Sequence, residues 1–359
     1  MLISNLARNF YFSFVNYVQT KHRLDYVHQS LAKKKSSLTY KSLTKDQERE
    51  VDDYWKQFNV SSYNKEWVSI YSSVCDKFDK RFLPADIYFT QIDSYFNDGT
   101  ACKYLDNKNL YSLLFSGVKM PKTIVRKIAG TYLDEDYAPL SFDEAVAKCQ
   151  ACGDVILKPA VMGCCGIGIT FWDKSKDPEK LKKDLERTKD LVVQEVIKQH
   201  PTLNLLHKSS LNTIRLMTLF LDGKVTVISG VLRMGVNGSR VDNHTSGGIA
   251  CGIGPNGQLG EYAVFQNGEK IYQHPQGAKF SNITVPSYAE CKELAKKLAL
   301  RFVGFSKLIS WDFAIDENGD PIFIEANLSF GGLHLHQMTN GPLFGDLTEK
   351  VLTKVFLNK

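Results

Sequence analysis

No apolar run in this sequence of 359 residues approaches the roughly 20 consecutive residues that a bilayer-spanning helix needs. The N-terminal stretch MLISNLARNFYFSFVNYVQTKHR lacks a charged start, a clean apolar centre and a small-residue cleavage site, so no secretory signal is expected. Neither charge sign dominates: Lys and Arg number 45 against 39 Asp and Glu, and the resulting +6 is spread over separate Lys-rich segments. A nucleic-acid partner is therefore not expected, whereas an anionic or phosphorylated small substrate is compatible. The 8 cysteines do not form a disulfide framework by spacing, which favours a reducing, cytoplasmic setting. Cys149 and Cys152 make a lone C-x-x-C with no second pair at zinc-ligand spacing, so structural thiols are expected there. Internal repeats and low-complexity tracts are absent, and no Ser-His-Asp or Cys-His grouping stands in a persuasive context.

What is present is an ordinary globular composition, 43% hydrophobic and 23% charged, in a chain long enough for two or three domains. Residues 1–103 read as a helical, aromatic-rich region, with Thr44 near the start of a helix that runs into Trp55. The aromatics near the N-terminus, followed by Lys21-His22-Arg23 and Lys33-Lys34-Lys35, suit an anionic membrane surface. The more ordinary reading, an amphipathic helix packed on its own protein, is favoured. Residues 104–198 and 199–359 read as two further parts richer in strands. Ser141 with Glu144 forms a capping box, and Pro178 opens a charged helix. VILK (155–158), ITFW (169–172) and LVVQEVI (191–197) read as strands, and Asp222-Gly223 joins two more into a hairpin. Ser287 with Glu290 marks another helix start. Antiparallel hairpins outnumber βαβ units, so the class is α+β.

Several stretches carry chemistry. In WDFAIDENGDPIFIEANLSFGG (311–332) two extended runs flank an Asn-Gly-Asp-Pro turn, which predicts a hairpin placing Asp312 opposite Glu325 with Asn327 one pleat beyond. Two carboxylates and an amide oxygen on one face fit Mg²⁺, a hard cation, although a solvated acidic turn has the same pattern. Lys158 ends an apolar strand and precedes glycines at 163, 166 and 168. Such a loop turns backbone N–H groups toward phosphate, or is simply a flexible β-turn. It is neither a P-loop nor a dinucleotide fingerprint, because no GK[ST] is present and a strand follows. Arg215 and Arg233 sit in apolar strands, so each should face an anion or a structural carboxylate. Asp242-Asn243-His244 and Gly247-Gly248 form a polar segment suited to substrate approach or to a plain loop.

It is the order of these elements that is specific. Lys108 after Asp106, Lys158 with the glycine loop, Gln194-Glu195, NTIR with Arg215, LRMG with Arg233, VDNHTSGG, then Asp312 and IEAN together resemble the ATP-grasp superfamily. The chain is similar to ribosomal-protein glutamate ligases and closer still to the sugar-transfer-associated ATP-grasp proteins of bacterial surface-polysaccharide loci. The resemblance implies a fold in which two α+β parts grip ATP between antiparallel sheets. It implies that Lys108 and Lys158 contact the phosphates, that Gly163, Gly166 and Gly168 fold over them, and that Gln194, Glu195, Val196 and Ile197 hold the adenine through backbone groups. It further implies two Mg²⁺ ions on Asp312, Glu325 and Asn327, catalytic Arg215 and Arg233 facing the γ-phosphate and an acyl phosphate, and a substrate region at Asn243, Gly247, Gly248 and His336. The segment from about 120 to 197 is expected to act as a lid. Cys164-Cys165 and the missing ribose carboxylate after the adenine strand depart from the family pattern. The implied activity is ATP-dependent ligation of a carboxylate, such as a sugar acid, to an amine, with other glycan-synthesis enzymes as the implied partners. An ATP-grasp phosphotransferase and a nucleotide-binding scaffold for glycosyltransferases are the alternatives. His334 and His336 would line the amine site or serve as core histidines.

Overall fold

The computed structural model describes residues 2–161, 167–243 and 247–358, with residues 2–16 described through their backbone alone. Gly163, Gly166, Cys164 and Cys165 lie outside these residues, as do the side chains of the aromatic N-terminal stretch.

Helix α1 (Leu2–Ser37) opens the chain. Helix α2 (Lys45–Lys56) follows, and its capping box uses Thr44 with Gln47 at the third helical position. Helix α3 (Glu66–Val74) buries Trp67, Ile70 and Tyr71 completely. Short helical turns then continue to Leu105. Two cations read from sequence as possible membrane contacts are turned inward: Arg23 pairs with buried Asp93 at 3.0 Å, and Lys34 donates to the Gln266 carbonyl at 2.6 Å. Among the described residues no helix is long and apolar enough to cross a membrane.

A six-stranded sheet comes next, built from β1 (Thr123–Ile128), β2 (Thr131–Leu133), β3 (Pro139–Leu140), β4 (Val155–Pro159), β5 (Thr170–Trp172) and β6 (Leu191–Glu195), in the order β3-β2-β1-β6-β4-β5. Helix α4 (Phe142–Cys152) carries the Ser141–Glu144 capping box, and α5 (Pro178–Glu186) has Pro178 in its first turn. Their apolar stripes cover one face of the sheet, with Val146, Cys149, Leu181 and Leu185 meeting Val125, Leu157 and Val193. Cys149 is buried and Cys152 exposed on the same helix, each as a free thiol.

The second sheet has seven strands: β7 (Thr213–Leu221), β8 (Lys224–Met234), β9 (Ile249–Ile253), β10 (Leu259–Val264), β11 (Lys270–Ile271), β12 (Leu308–Ile315) and β13 (Pro321–Asn327). The order is β11-β10-β9-β8-β7-β12-β13, and every pairing is antiparallel. Alternation along the strands gives it two distinct faces. One face sends Ile214, Leu216, Leu232 and Trp311 onto helix α6 (Tyr288–Ala299). The other sends Met217, Leu219 and Leu308 onto the N-terminal helices and onto α7 (His334–Asn340). Ser287 does not cap α6 through its hydroxyl; it adopts a left-handed φ of 51° and its Oγ donates to the Gly319 carbonyl at 2.6 Å.

The N-terminal helices are therefore part of the sandwich rather than an appendage. Asp93 is fully buried, accepts from the Phe330 N–H at 3.0 Å, and is joined to Arg23 and Asn97. Removing one partner strands a buried charge, which typically costs about 3–5 kcal/mol. Asp93→Ala is expected to lower unfolding stability by about that amount, read as a lower midpoint in urea denaturation with an unchanged slope.

Candidate active site

Arg215, Arg233, Asp312 and Glu325 stand in rows on the face of the large sheet that also carries Met217 and Leu308. Strand pairing aligns Val231, Arg215, Asp312 and Glu325 across β8, β7, β12 and β13. A bulge makes this row possible: Asp312 opposes Glu325 while Phe313 opposes Phe323, so Ile324 is the extra residue on β13. A one-residue change of register moves a side chain to the other face. Ile324 thus brings Glu325 to the face of Asp312 while Phe323 stays in the core.

Asp312 is buried and held from two sides. Arg215 donates to it through Nε at 2.8 Å and Nη2 at 2.6 Å, a bidentate pair. Arg233 Nη1 stands 3.5 Å from the same carboxylate. Burial pushes the Asp312 carboxyl up, but the two guanidinium groups outweigh it and hold the group below the usual carboxylate range. Arg233 also grips Asp242 through Nε at 3.2 Å and Nη2 at 3.0 Å, and Thr213 Oγ1 donates to Asp242 as well. Burial opposes the charge on Arg233, yet Asp242 and Asp312 raise its pKa above the ordinary arginine value. At the end of the row Lys108 Nζ lies 3.3 Å from Glu325 Oε1. Asp106, beside Lys108, is pushed up by burial.

The small sheet supplies the opposite wall. Lys158 Nζ donates to Gln194 Oε1 at 3.0 Å, and the Lys108 N–H donates to the Ala160 carbonyl at 2.8 Å, so both lysines meet where β4 leaves its sheet. Burial, reinforced by Lys108, lowers the Lys158 ammonium to about 8. Gly168 has a φ of +79°, and a Cβ there would come within 2.9 Å of Pro159 Cγ, so that end of the glycine loop folds tightly onto β4. Beyond β6, the Glu195 N–H donates to the Lys122 carbonyl and the Val196 N–H to the Asp154 carbonyl. Among the described residues the Ile197 N–H has no backbone partner. The Glu195 side chain is exposed and accepts from the Lys122 N–H at 3.1 Å, away from the charged rows.

The loop after Arg233 closes on itself. The Gly248 N–H donates to the Asn243 carbonyl at 3.0 Å, and a Cβ at Gly248 would lie 2.5 Å from the Asp242 carbonyl oxygen. Gly247 has a φ of +85° and open space around it. Asn243 is thereby placed next to the Arg233–Asp242 pair. His336 is buried on α7, with Nδ1 2.7 Å from Ser229 Oγ. Burial and Arg215 push it down to about 3. His334 does not belong to this group: it stacks on Trp67 at 4.7 Å and meets Tyr71 Oη at 2.7 Å among the N-terminal helices. Asp242 and Thr213 are the additions that sequence reasoning missed. The sequence singled out Asp242 only as part of a polar segment, and its pairing with Arg233 answers the requirement that Arg233 face an anion or a carboxylate.

A divalent cation would find three oxygen donors here, Asp312, Glu325 and Asn327, on neighbouring strands. Asn327 is half-buried with its Nδ2 unpaired, and the carbonyl oxygen of the same amide is the atom a hard cation would take. Among the described residues no group of three His, Cys, Asp or Glu residues could hold a metal. Two carboxylates and an amide oxygen are hard donors of the kind Mg²⁺ takes.

Among solved structures the chain is similar to D-alanyl-alanine synthetase A from Vibrio cholerae, at 14% identity over 74% of this chain and 65% of that one, with a TM-score of 0.39. It is also similar to the ATP-grasp ligase PsnB complexed with precursor peptide PsnA2 and AMPPNP, at 15% identity over 72% and 62% of the two chains and a TM-score of 0.42. A third is D-cycloserine synthetase DcsG, at 14% identity over 70% and 71% and a TM-score of 0.42. The chain spans less than two thirds of the length of the first two. No curated protein sequence matches it. The family described as sugar-transfer associated ATP-grasp matches over residues 89–352, a span that takes in both sheets and every charged residue of the rows. The chain belongs to the sugar-transfer associated ATP-grasp family.

Proposed function

We propose that the protein is an ATP-dependent carboxylate–amine ligase that forms an amide through an acyl phosphate. Its carboxylate substrate would be a sugar acid or precursor in surface-polysaccharide synthesis. The observation that carries this reading is the convergence of Lys108, Lys158, Arg215 and Arg233 on the Asp312–Glu325 pair. Four cations around two carboxylates make a site in which phosphate charge can be neutralised without any protein nucleophile.

In this reading Lys108 and Lys158 bind the phosphates, and the backbone from Gln194 through Val196 to the unpaired Ile197 N–H receives the adenine. Asp312, Glu325 and Asn327 hold Mg²⁺, two ions in the family pattern, which supplies charge neutralisation on the phosphates when bound. A substrate carboxylate oxygen attacks the γ-phosphorus; the new O–P bond forms as the bond to the ADP oxygen breaks. The amine nitrogen then attacks the acyl carbon, loses a proton, and phosphate leaves. Arg215 and Arg233 face the transferring phosphoryl group, where their charge is worth most in a partly buried site. Asn243, Gly247 and Gly248 border the substrate. The small sheet excludes water from the acyl phosphate. The free thiols at Cys75, Cys149 and Cys251 suit a cytoplasmic setting.

ADP and phosphate release is expected to require both a carboxylate and an amine, measured by coupled ADP assay on a panel of uronic acids and amines. Arg215→Ala should lower kcat by about a hundredfold or more, as loss of a charged transition-state donor does. A stable phosphorylated product without amine would point instead to phosphoryl transfer, and nucleotide binding without turnover to a scaffold.

Lys158 gives a pH signature. Its ammonium titrates near 8 in the free protein, so the charged form that attracts phosphate is lost as pH rises through that value. Mg-ADP affinity should hold steady below it and fall by up to about tenfold per pH unit above it. Calorimetry between pH 7 and 9 reads this directly, and Lys158→Arg, charged throughout, should flatten the profile.

A further inference from the structure

Arg233 meets Asp242 only because the chain between them leaves β8, turns and comes back. Asn237 and Gly238 make the turn, with φ of 53° and 74°, and both are exposed. An exposed excursion of this kind has few contacts of its own to fix its course. What fixes it lies behind it, on two buried histidines that take no part in the phosphate chemistry. His207, in the segment before β7, and His274, in the turn after β11, are both fully buried, with ring centroids 5.5 Å apart.

Each ring holds one end of the excursion. His274 Nε2 lies 2.9 Å from the Gly235 carbonyl oxygen, close behind Arg233. His207 Nε2 lies 2.9 Å from the Ser239 carbonyl oxygen, close ahead of Asp242. A carbonyl oxygen only accepts, so both Nε2 atoms carry hydrogen and donate. The Gln276 N–H donates to His274 Nδ1 at 3.2 Å, which leaves that ring neutral. Burial lowers its pKa in the same sense. His207 Nδ1 has no partner among the described residues, so the bond to Ser239 is the one hydrogen bond its ring makes there.

The hold passes on to the ion pair. Ser239 Oγ donates to the Val241 carbonyl at 2.8 Å and accepts from the Val241 N–H at 3.2 Å, so the residue bound by His207 fixes the one that precedes Asp242. Asp242 then receives Arg233 Nε and Nη2 and Thr213 Oγ1. At the other end a Cβ on Gly235 would stand 2.6 Å from Ser210 Oγ and 2.9 Å from both His207 Cδ2 and the Val241 carbonyl oxygen. Both rings and the approach to Asp242 therefore meet around one glycine. Each histidine is itself tied down. Gln199 Nε2 and Asn212 Nδ2 donate to the His207 carbonyl at 2.6 and 3.1 Å, and the His274 N–H donates to the Ala278 carbonyl at 2.8 Å.

We propose that His207 and His274 are positioning residues, a pair of imidazole donors that sets the return of the 235–241 excursion and, through Asp242, the placement of Arg233. This rests on the ligase reading, in which Arg233 faces the transferring phosphoryl group, and adds to it the two groups that decide where that guanidinium points. Without them Asp242 is no longer delivered to Arg233, which is left with Asp312 alone, 3.5 Å from its Nη1.

The test compares Mg-AMPPNP with Mg-ADP by calorimetry on the full chain, because Arg233 bears on the γ-phosphate, which ADP lacks. Arg233→Ala sets the scale of the difference. His207→Ala and His274→Ala should each weaken Mg-AMPPNP by about tenfold and leave Mg-ADP within about twofold of wild type. A general loosening of the fold would not divide the two nucleotides in this way. His207→Gln puts an amide N–H where the Nε2–H stood and should restore both affinities. His207→Asn is too short to reach Ser239 and should behave as the alanine variant, which keeps the comparison open if His207→Ala does not fold. An unchanged ratio of the two affinities, an equal loss of both, or a His207→Gln chain that misfolds or matches His207→Asn would each overturn the role of the pair. If Arg233→Ala leaves the ratio unchanged, or wild-type protein binds neither nucleotide, the ligase reading itself fails and the role of the pair with it.

Discussion

A buried carboxylate with two guanidinium groups on it is the constraint on which this site depends. Asp312 cannot stay ionised in the interior unless Arg215 and Arg233 remain in place. Arg233 in turn needs Asp242, which draws the loop beyond β8 back over the sheet. One charge balance therefore fixes two strand ends, one loop and the direction in which both arginines point. Lys108 on Glu325 extends the balance to the small sheet, because its backbone N–H is bound to Ala160 at the exit of β4. Arg215, Arg233 and Lys108 are held by internal carboxylates and Lys158 by the Gln194 amide; under the proposed reading, an arriving polyphosphate would exchange with these partners. Such preorganisation is where phosphoryl-transfer sites gain most of their advantage.

The N-terminal helices enter the same logic from behind. The segment from Leu328 to Leu333 links Asn327 to α7, and it is tethered by Asp93 to the Phe330 N–H and by Tyr88 Oη to the Gly331 carbonyl at 3.3 Å. His334 is locked by Trp67 and Tyr71, and Gln337 exchanges hydrogen bonds with both backbone groups of Leu83 at 2.9 and 3.0 Å. His336 thus sits on a helix clamped on one side by the N-terminal region and facing the charged rows on the other. The helical region is the back wall of the site.

Much of this was legible in the sequence, for identifiable reasons. The turn at Asn318-Gly319-Asp320-Pro321 announces its hairpin; the expected pairing of Asp312 with Glu325 is present, but the bulge at Ile324 produces it, since an unbroken register would oppose Asp312 with Ile324. Arginines inside apolar strands announce that a counter-charge exists. The bulge at Ile324 was not legible, because a single extra residue leaves the apolar pattern of β13 nearly unchanged while reversing a face. Asp242 was hidden for a related reason: it lies in a polar loop whose direction only the closed strand geometry defines. The role of the N-terminal region was hidden because its partners, Phe330 and His334, lie more than two hundred residues further along the chain. Local capping signals fared well at Ser141 and less well at Ser287, where a tertiary bond to Gly319 takes the hydroxyl.

The central claim is that the Asp312–Glu325 row, with its lysines and arginines, is a metal-dependent nucleotide phosphate site. Calorimetric titration of AMPPNP into the full chain, with Mg²⁺ and then with EDTA, tests it most directly. The account predicts binding that weakens by about tenfold or more when the metal is chelated, and a much smaller difference in Glu325→Gln. Equal affinity with and without Mg²⁺, or no binding in either condition, would contradict it.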